Sequence, residues 1–377
     1  MPREKIRKSI HWIKHWYFKY ERPISSFSLI SGFIFNIFFL TRVDLFIENF
    51  WIILHLLFAG AGIIILNHVE NEKIKSKLKQ ETRDFVHFWL IITIQFAFGG
   101  LFSTFLVFYF RGATLTASWP FLLLLFIVFM FNEAYKEKYI RLSFQISVLF
   151  LSIFSFAIFS VPVLIRRIGS DIFLLSGVVS LVVIGIFLAL LYFITRERFI
   201  RNKKIIFLSI FGIYLTMNVL YFTNTIPPLP LSLKDYGIYH SISDENNSGN
   251  YLIEKENKSF YTNTINFLRS YEDVHIISGD PIYVYTAVFS PTLINIDITH
   301  EWQKYDEIKK TWVHVAEIAL PIVGGRDGGY RTYSIKANVT PGLWRVNVLT
   351  PNGQYIGRIK FKVFEVDTDP TLKSETK

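Results

Sequence analysis

Six residues toward the C-terminus carry side chains suited to recognition chemistry: His300, Trp302, Tyr330, Arg331, Trp344 and Arg345. His300 and Trp302 continue a period-two apolar run that begins Ile294, Ile296, Ile298, with Asn295, Asp297, Thr299 and Glu301 opposite. A histidine on such a face has two readings. Its ring nitrogens are hydrogen-bonded within a core, or they meet a ligand. Burial without a charged partner keeps it neutral in the first case. Arg331 and Arg345 follow Gly- or Pro-rich turns and stand beside Tyr330, Tyr333 and Trp344. A guanidinium next to exposed rings suits a carboxylate, a phosphate or a sugar ring. The competing reading is a cross-strand ion pair with an acid such as Asp297 or Glu301.

Other chemistries are poorly represented. The absence of cysteine excludes disulfides, thiolate metal sites and cysteine nucleophiles. The run Gly324-Gly325-Arg326-Asp327-Gly328-Gly329 lacks the Lys-Ser/Thr of a phosphate loop, and no strand–helix unit surrounds it. It reads as a flexible hairpin loop whose backbone can approach a partner closely. The expectation is therefore no catalytic set, no metal, no cofactor and a non-enzymatic role.

Strands must position these residues. Ile282, Val284 and Val288 share one face, as do Trp344, Val346 and Val348. Ile359, Phe361 and Val363 point inward, with Arg358, Lys360 and Lys362 outward. Ile356 is out of phase with that set, which predicts a bulge at Gly357. Pro351-Asn352-Gly353-Gln354 predicts a hairpin turn centred on Asn-Gly. Short strands with regular turns predict an Ig-like antiparallel β-sandwich over residues 251–366, followed by a polar tail at 367–377.

Upstream the chain is a different material. Hydrophobic residues make up 51% of the 377, and mean hydropathy is +0.34. The apolar residues are concentrated in seven runs near 24–41, 49–67, 85–110, 119–134, 142–165, 172–195 and 205–223. These predict a polytopic α-helical membrane bundle over 24–223. Residues 1–23 carry Ile6, Ile10, Ile13 and Trp16 at helical spacing among basic residues, as an interfacial cytoplasmic helix does. No small-x-small cleavage site follows, so a cleavable signal peptide is not expected. Residues 224–250, with Pro227, Pro228 and Pro230, read as a stiff, extended linker ending in a turn at 244–250.

Charge sets the expected orientation. Residues 1–223 hold 24 Lys and Arg against 12 Asp and Glu, while residues 224–377 hold 16 against 18. The basic excess thus belongs to the membrane half, which argues for topology and against nucleic acid as a partner. Twenty basic residues lie at 1–23, 68–84, 135–141 and 196–204; only Arg42, Arg111, Arg166 and Arg167 lie on the alternate side. The N-terminus is then cytoplasmic and residues 224–377 extracytoplasmic. The external arginines suit lipid phosphates, an anionic glycan carrier or ordinary anchoring.

Polar residues within the spans are few: Asn36, His55, Gln95, Gln145 and Asn218. His55 is the ionisable group near a span centre. It, Gln95 and Gln145 are the intramembrane candidates, with interhelical hydrogen bonding as the alternative. Glu133 marks the cytoplasmic interface. Gly60–Gly62 and Gly99–Gly100 permit close helix packing.

Several motifs occur in one order: His300-x-Trp302, Leu320-Pro321-Ile322-Val323-Gly324-Gly325, Tyr330-Arg331-Thr332-Tyr333-Ser334, Pro341-Gly342-Leu343-Trp344-Arg345-Val346, Asn352-Gly353-Gln354, Ile356-Gly357-Arg358 and Phe361-x-Val363. Over roughly residues 280–366 the chain resembles the DUF2914 family, a domain of unknown function in bacterial proteins. Arg326-Asp327-Gly328-Gly329 lengthens one loop relative to that pattern. The resemblance implies a bacterial envelope protein with an outward β domain and brings no activity with it. The expected whole is a multi-pass protein of the bacterial inner membrane. Its outer domain binds an envelope glycan or protein. The alternative is a transporter, flippase or membrane glycan-processing enzyme with a periplasmic accessory domain.

Overall fold

The apolar runs form long helices. The computed structural model describes residues 38, 42, 44–71, 80–112, 115–134, 141–244, 251–257, 271–292, 294–368 and 370–377. The expected interfacial segment 1–23, the first expected span at 24–41 and nearly all of the expected turn at 244–250 lie outside them. Six helices appear among the described residues: α1 Phe46–Val69, α2 Gln80–Gly112, α3 Leu115–Ala134, α4 Leu142–Ile165, α5 Ser170–Ile194 and α6 Arg196–Phe222. Five are long and apolar enough to cross a membrane, while the apolar part of α3 is the shorter Ser118–Met130. Phe46, Leu57, Phe193, Leu208 and Phe211 stay more than half exposed, as side chains facing acyl tails would. The architecture is compatible with a multi-pass membrane protein.

Hydroxyls on these helices bond back to their own backbone, as Ser152 Oγ does to Val148 O at 2.9 Å and Ser176 Oγ to Ile172 O at 2.8 Å. That satisfies a polar group where no water reaches it. The basic stretch 196–204, expected as a loop, forms the first turns of α6, and Thr195 alone separates it from α5.

The chain folds as two compact units: residues 1–108, 122–157 and 178–216, and residues 109–121, 158–177 and 217–377. In the second unit, ends of five helices join eleven strands. Phe173 and Tyr221 stack at 3.7 Å, and Ile168 packs against the main strand core.

The strands are β1 Ser232–Tyr239, β2 Ser241–Asp244, β3 Tyr251–Glu256, β4 Glu272–Ile276, β5 Ile282–Phe289, β6 Ile296–Asp306, β7 Thr311–Ile322, β8 Tyr330–Lys336, β9 Gly342–Leu349, β10 Tyr355–Glu365 and β11 Leu372–Thr376. They form a three-stranded sheet β1-β5-β8, a five-stranded sheet β4-β10-β9-β6-β7, and a small sheet β11-β3-β2. All pairings are antiparallel except β4 with β10. The first two sheets share one core, in which Val284 and Val288 meet Ile298, Trp302, Val346, Val348, Ile359 and Phe361. Alternate residues of β5 point the other way. Tyr285 and Ala287 join Tyr239, Ile242 and Ile253 in a second cluster with the small sheet.

Three expectations change. The linker region carries β1 and β2, and its prolines sit in a turned, buried segment, with Leu229 N bonding Pro227 O at 2.8 Å. The polar tail is β11, paired with β3. The glycine loop is not a hairpin: it carries the chain from β7 in one sheet to β8 in the other. There Gly325 N donates to Ser290 O at 3.0 Å, tying this crossing to the one between β5 and β6.

The β9–β10 turn also differs in detail. Gly353 N bonds Thr350 O at 2.9 Å, and only Gly353 of the Asn-Gly pair takes positive φ, +75°. Pro351 and Asn352 therefore form the turn and Gly353 supplies the left-handed residue after it. The bulge at Gly357 is present.

Candidate functional site

The sequence candidates fall in three separate places. His300, Trp302 and Trp344 belong to the core and are at most 2% exposed. His300 Nε2 lies 3.0 Å from Thr286 Oγ1 and Nδ1 lies 2.8 Å from Ser334 Oγ. Ser334 Oγ also accepts the Trp302 indole N–H at 3.1 Å. A neutral ring protonated on Nε2 satisfies every partner: it donates to Thr286 and accepts from Ser334. Burial pushes His300 down to about 3. Trp344 donates to Thr340 O at 2.8 Å and is not the exposed ring expected beside an arginine.

Tyr330 and Arg331 begin β8 in the three-stranded sheet. Tyr330 packs against the main core, with the Arg326 guanidinium 5.1 Å from its ring centre. Arg331 alternates with the inward Thr332 and interacts with Tyr285 of the tyrosine cluster. It therefore does not share a surface with Arg345.

Arg345 stands on the outer face of the five-stranded sheet, within a network centred on Glu301. Direct pairing sets Glu301 opposite Asn347, Gln303 opposite Arg345, and Asn347 opposite Arg358, so these side chains share a face. Gln303 Nε2 donates to Glu301 Oε1 at 2.6 Å, and Gln303 Oε1 accepts Arg345 Nε at 2.6 Å. Asn347 repeats the pattern. Its Nδ2 donates to Glu301 Oε2 at 2.8 Å, and its Oδ1 accepts Arg358 Nε at 2.8 Å. His314 Nδ1 lies 3.3 Å from Glu301 Oε1. One carboxylate thus orients two amides, and each amide orients one arginine.

Each guanidinium also covers a ring. Arg345 lies 4.2 Å from the Trp312 ring centre and Arg358 lies 4.7 Å from that of Tyr355. Bulges set both aromatics in place. In β7 the register slips between Trp302 and Gln303, which turns Trp312 and His314 outward although Ala316, Ile318 and Leu320 pack inward. In β10 the bulge at Ile356–Gly357 does the same for Tyr355. Among the described residues, the Nη groups of Arg345 and Arg358 meet no protein acceptor.

The electrostatics follow from crowding. Burial raises the Glu301 carboxyl, but hydrogen bonds from Asn347, Gln303 and His314 outweigh it and hold it below its ordinary value. Burial, then Arg358, lowers Arg345. Burial, then Arg358 and Arg345, lowers Lys360, which pairs across from Arg345. Three neighbouring cations therefore crowd one face of the sheet.

The intramembrane candidates also separate. Gln145 Oε1 accepts Asn67 Nδ2 at 2.7 Å, a buried interhelical hydrogen bond. His55 Nδ1–H donates to Trp51 O at 2.7 Å, and its ring lies where a Cβ on Gly100 would come within 2.7 Å. Gly62 lets Ile94 approach in the same way. Gln95, on α2, is also engaged in an interaction. No group of three or more His, Asp or Glu suited to a metal occurs among the described residues.

Sequence reasoning missed Trp312, Gln303, His314 and Asn347, and also Asn67. The available signal was the polar side of the β6 and β9 alternation, Glu301 with Gln303 and Arg345 with Asn347. Trp312 had none, because a bulge inverts its face.

Residues 295–363 match the model of a family described as a protein of unknown function, DUF2914. The match runs from the start of β6 to β10 and so contains the whole network. No curated protein matches the chain. Among solved structures, a β-glucosidase from Listeria innocua in complex with glucose is similar at 13% identity over 30% of this chain, with a TM-score of 0.18. The chain spans 16% of that enzyme's length. An alkylpurine DNA glycosylase from Pseudomonas fluorescens bound to DNA containing an abasic site analog is 8% identical, covering 84% of this chain and 98% of that one, with a TM-score of 0.22. Superpositions that loose carry nothing about fold or activity.

Proposed function

We propose that this is a multi-pass protein of the bacterial inner membrane whose extracytoplasmic, Ig-like β-sandwich binds a cell-envelope component, a glycan or a protein. The outer face of the five-stranded sheet is the binding surface. The observation that carries this reading is the pair of arginines oriented through amides by Glu301, with their Nη groups turned to no acceptor among the described residues. A sheet needs no such network to hold together: outward residues of a stable sheet can be simple polar pairs. Half-buried cations ordered this closely are costly unless a ligand uses them.

The test is capture of envelope material. Full-length protein in detergent, immobilised through its N-terminus, is exposed to solubilised envelope glycans and proteins. Arg345→Ala/Arg358→Ala is expected to lose at least tenfold of the captured material while keeping the wild-type melting temperature within a few degrees. Equal capture by wild type and double variant removes this face as the binding surface.

A further inference from the structure

Resting on that reading, we infer that the ligand is an acidic glycan and that a sugar carboxylate is held between the Nη groups of Arg345 and Arg358. The two arginines are diagonal neighbours on adjacent strands, since Arg345 pairs with Lys360 and Asn347 with Arg358. Diagonal positions are about 7–8 Å apart at Cα, within reach of one shared group for side chains this long. Each guanidinium is already fixed at two points: by its Nε bond to an amide that Glu301 orients, and by the ring it covers. A planar fork held in this way matches a planar carboxylate and loses little freedom on binding. Lys360 adds a third positive charge beside the pair, and the mutual repulsion of the three is relieved by an anion.

Two features favour a glycan over a peptide or a membrane surface. β9 and β10 are inner strands, each bonded on both sides, so a peptide cannot add to them as a further strand. The ligand must be read by side chains on a flat face, where the Trp312 and Tyr355 rings back the two guanidinium groups. Attraction to anionic lipid relies on clustered mobile cations, whereas these are half-buried and hydrogen-bonded. Residues 224–377 as a whole carry 16 basic against 18 acidic residues, so no general field draws this region to a negative bilayer.

The experiment uses full-length protein in neutral-lipid nanodiscs. The probes are oligogalacturonate, its methyl ester, and phosphatidylserine vesicles. Wild type is expected to bind the acid at least tenfold more tightly than the ester. Arg345→Gln and Arg358→Gln each lose that preference. Arg345→Lys keeps the charge and the fold but does not restore it, and Lys309→Gln in the β6–β7 turn leaves it unchanged. Unaltered unfolding of Arg345→Lys separates lost recognition from lost structure. Equal binding of acid and ester that still falls in Arg345→Gln overturns the acidic ligand while leaving a glycan site standing. Failure of both polymers, with or without vesicle binding, overturns the inference; the proposed binding face itself then stands or falls on the envelope capture.

Discussion

His300 is neutral because it is buried among hydroxyl and apolar side chains, with no carboxylate bonded to it among the described residues. That gives a signed prediction. Its pKa is about 3 in the folded state and 6.5 in the reference state. Between those values the unfolded chain binds a proton that the native chain refuses. The stability is therefore complete above pH 6.5 and is lost as pH falls toward 3, at up to about 1.4 kcal/mol per unit. Glu301 acts lower: its carboxyl is held below 4.5, so its contribution is present above that value and lost beneath it. The interval from pH 6.5 to 5 separates the histidine from Glu301. Hydrogen exchange at β6 amides, corrected for intrinsic rates, should show this slope in wild type. His300→Gln should be less stable at pH 7 by roughly 1–3 kcal/mol, through unpaired Thr286 and Ser334, and should have lost the slope. Parallel slopes would show that the ring is not the titrating group. The core reading of His300 was legible from its strand phase, whereas its two hydroxyl partners were not. Thr286 and Ser334 lie on other strands, and only the assembled sheets bring them to the ring.

At the element scale, what could be read from local periodicity was read. The inward sets of β5, β9 and β10 and the bulge at Gly357 follow from alternation. What depends on distant partners was hidden. β1 and β11 lack a clean apolar alternation, and they become strands through pairing with β5 and β3. The outward turn of Trp312 depends on one extra residue in β7, which a period of two cannot reveal. The two crossings between the sheets are likewise a tertiary feature, and Gly324 is their closest point. A Cβ there would overlap the carbonyl oxygens of Pro291 and Ile294, which are backbone and cannot rotate away. Gly324→Ala is expected to cost about 1–3 kcal/mol and to raise hydrogen exchange in β6 and β8 together, because both strands leave these crossings. By contrast Gly328→Ala meets no atom within 4 Å and should leave exchange unchanged. If the two alanine variants behave alike, the crossings are not the constraint.

For the whole molecule, the question is which way the chain is threaded. The second compact unit contains the C-terminal end of α2, the N-terminal end of α3, the C-terminal end of α4, the N-terminal end of α5 and the C-terminal end of α6, together with the strands. These ends alternate as they must if successive helices run up and down. They are also the ends beside which only Arg111, Arg166 and Arg167 lie, whereas the opposite ends carry the stretches 68–84, 135–141 and 196–204 with 13 Lys and Arg. Translocating a short loop rich in lysine and arginine is disfavoured, so the orientation we propose keeps the basic ends in the cytoplasm and puts the strand-bearing ends outside. Orientation by this rule also demands that charge, not sequence context, be the cause. Alkaline phosphatase fused after Lys377 is expected to be active and a cytoplasm-dependent fluorescent reporter at the same position dark. Replacing Arg196, Arg198, Arg201, Lys203 and Lys204 by glutamine should shift a measurable fraction of molecules to the inverse signal, since it removes five of those 13 charges. A fusion after Lys377 that is dark for phosphatase and bright for the cytoplasmic reporter in the unaltered chain would place Arg345 and Arg358 in the cytoplasm, and an envelope glycan could not be their ligand.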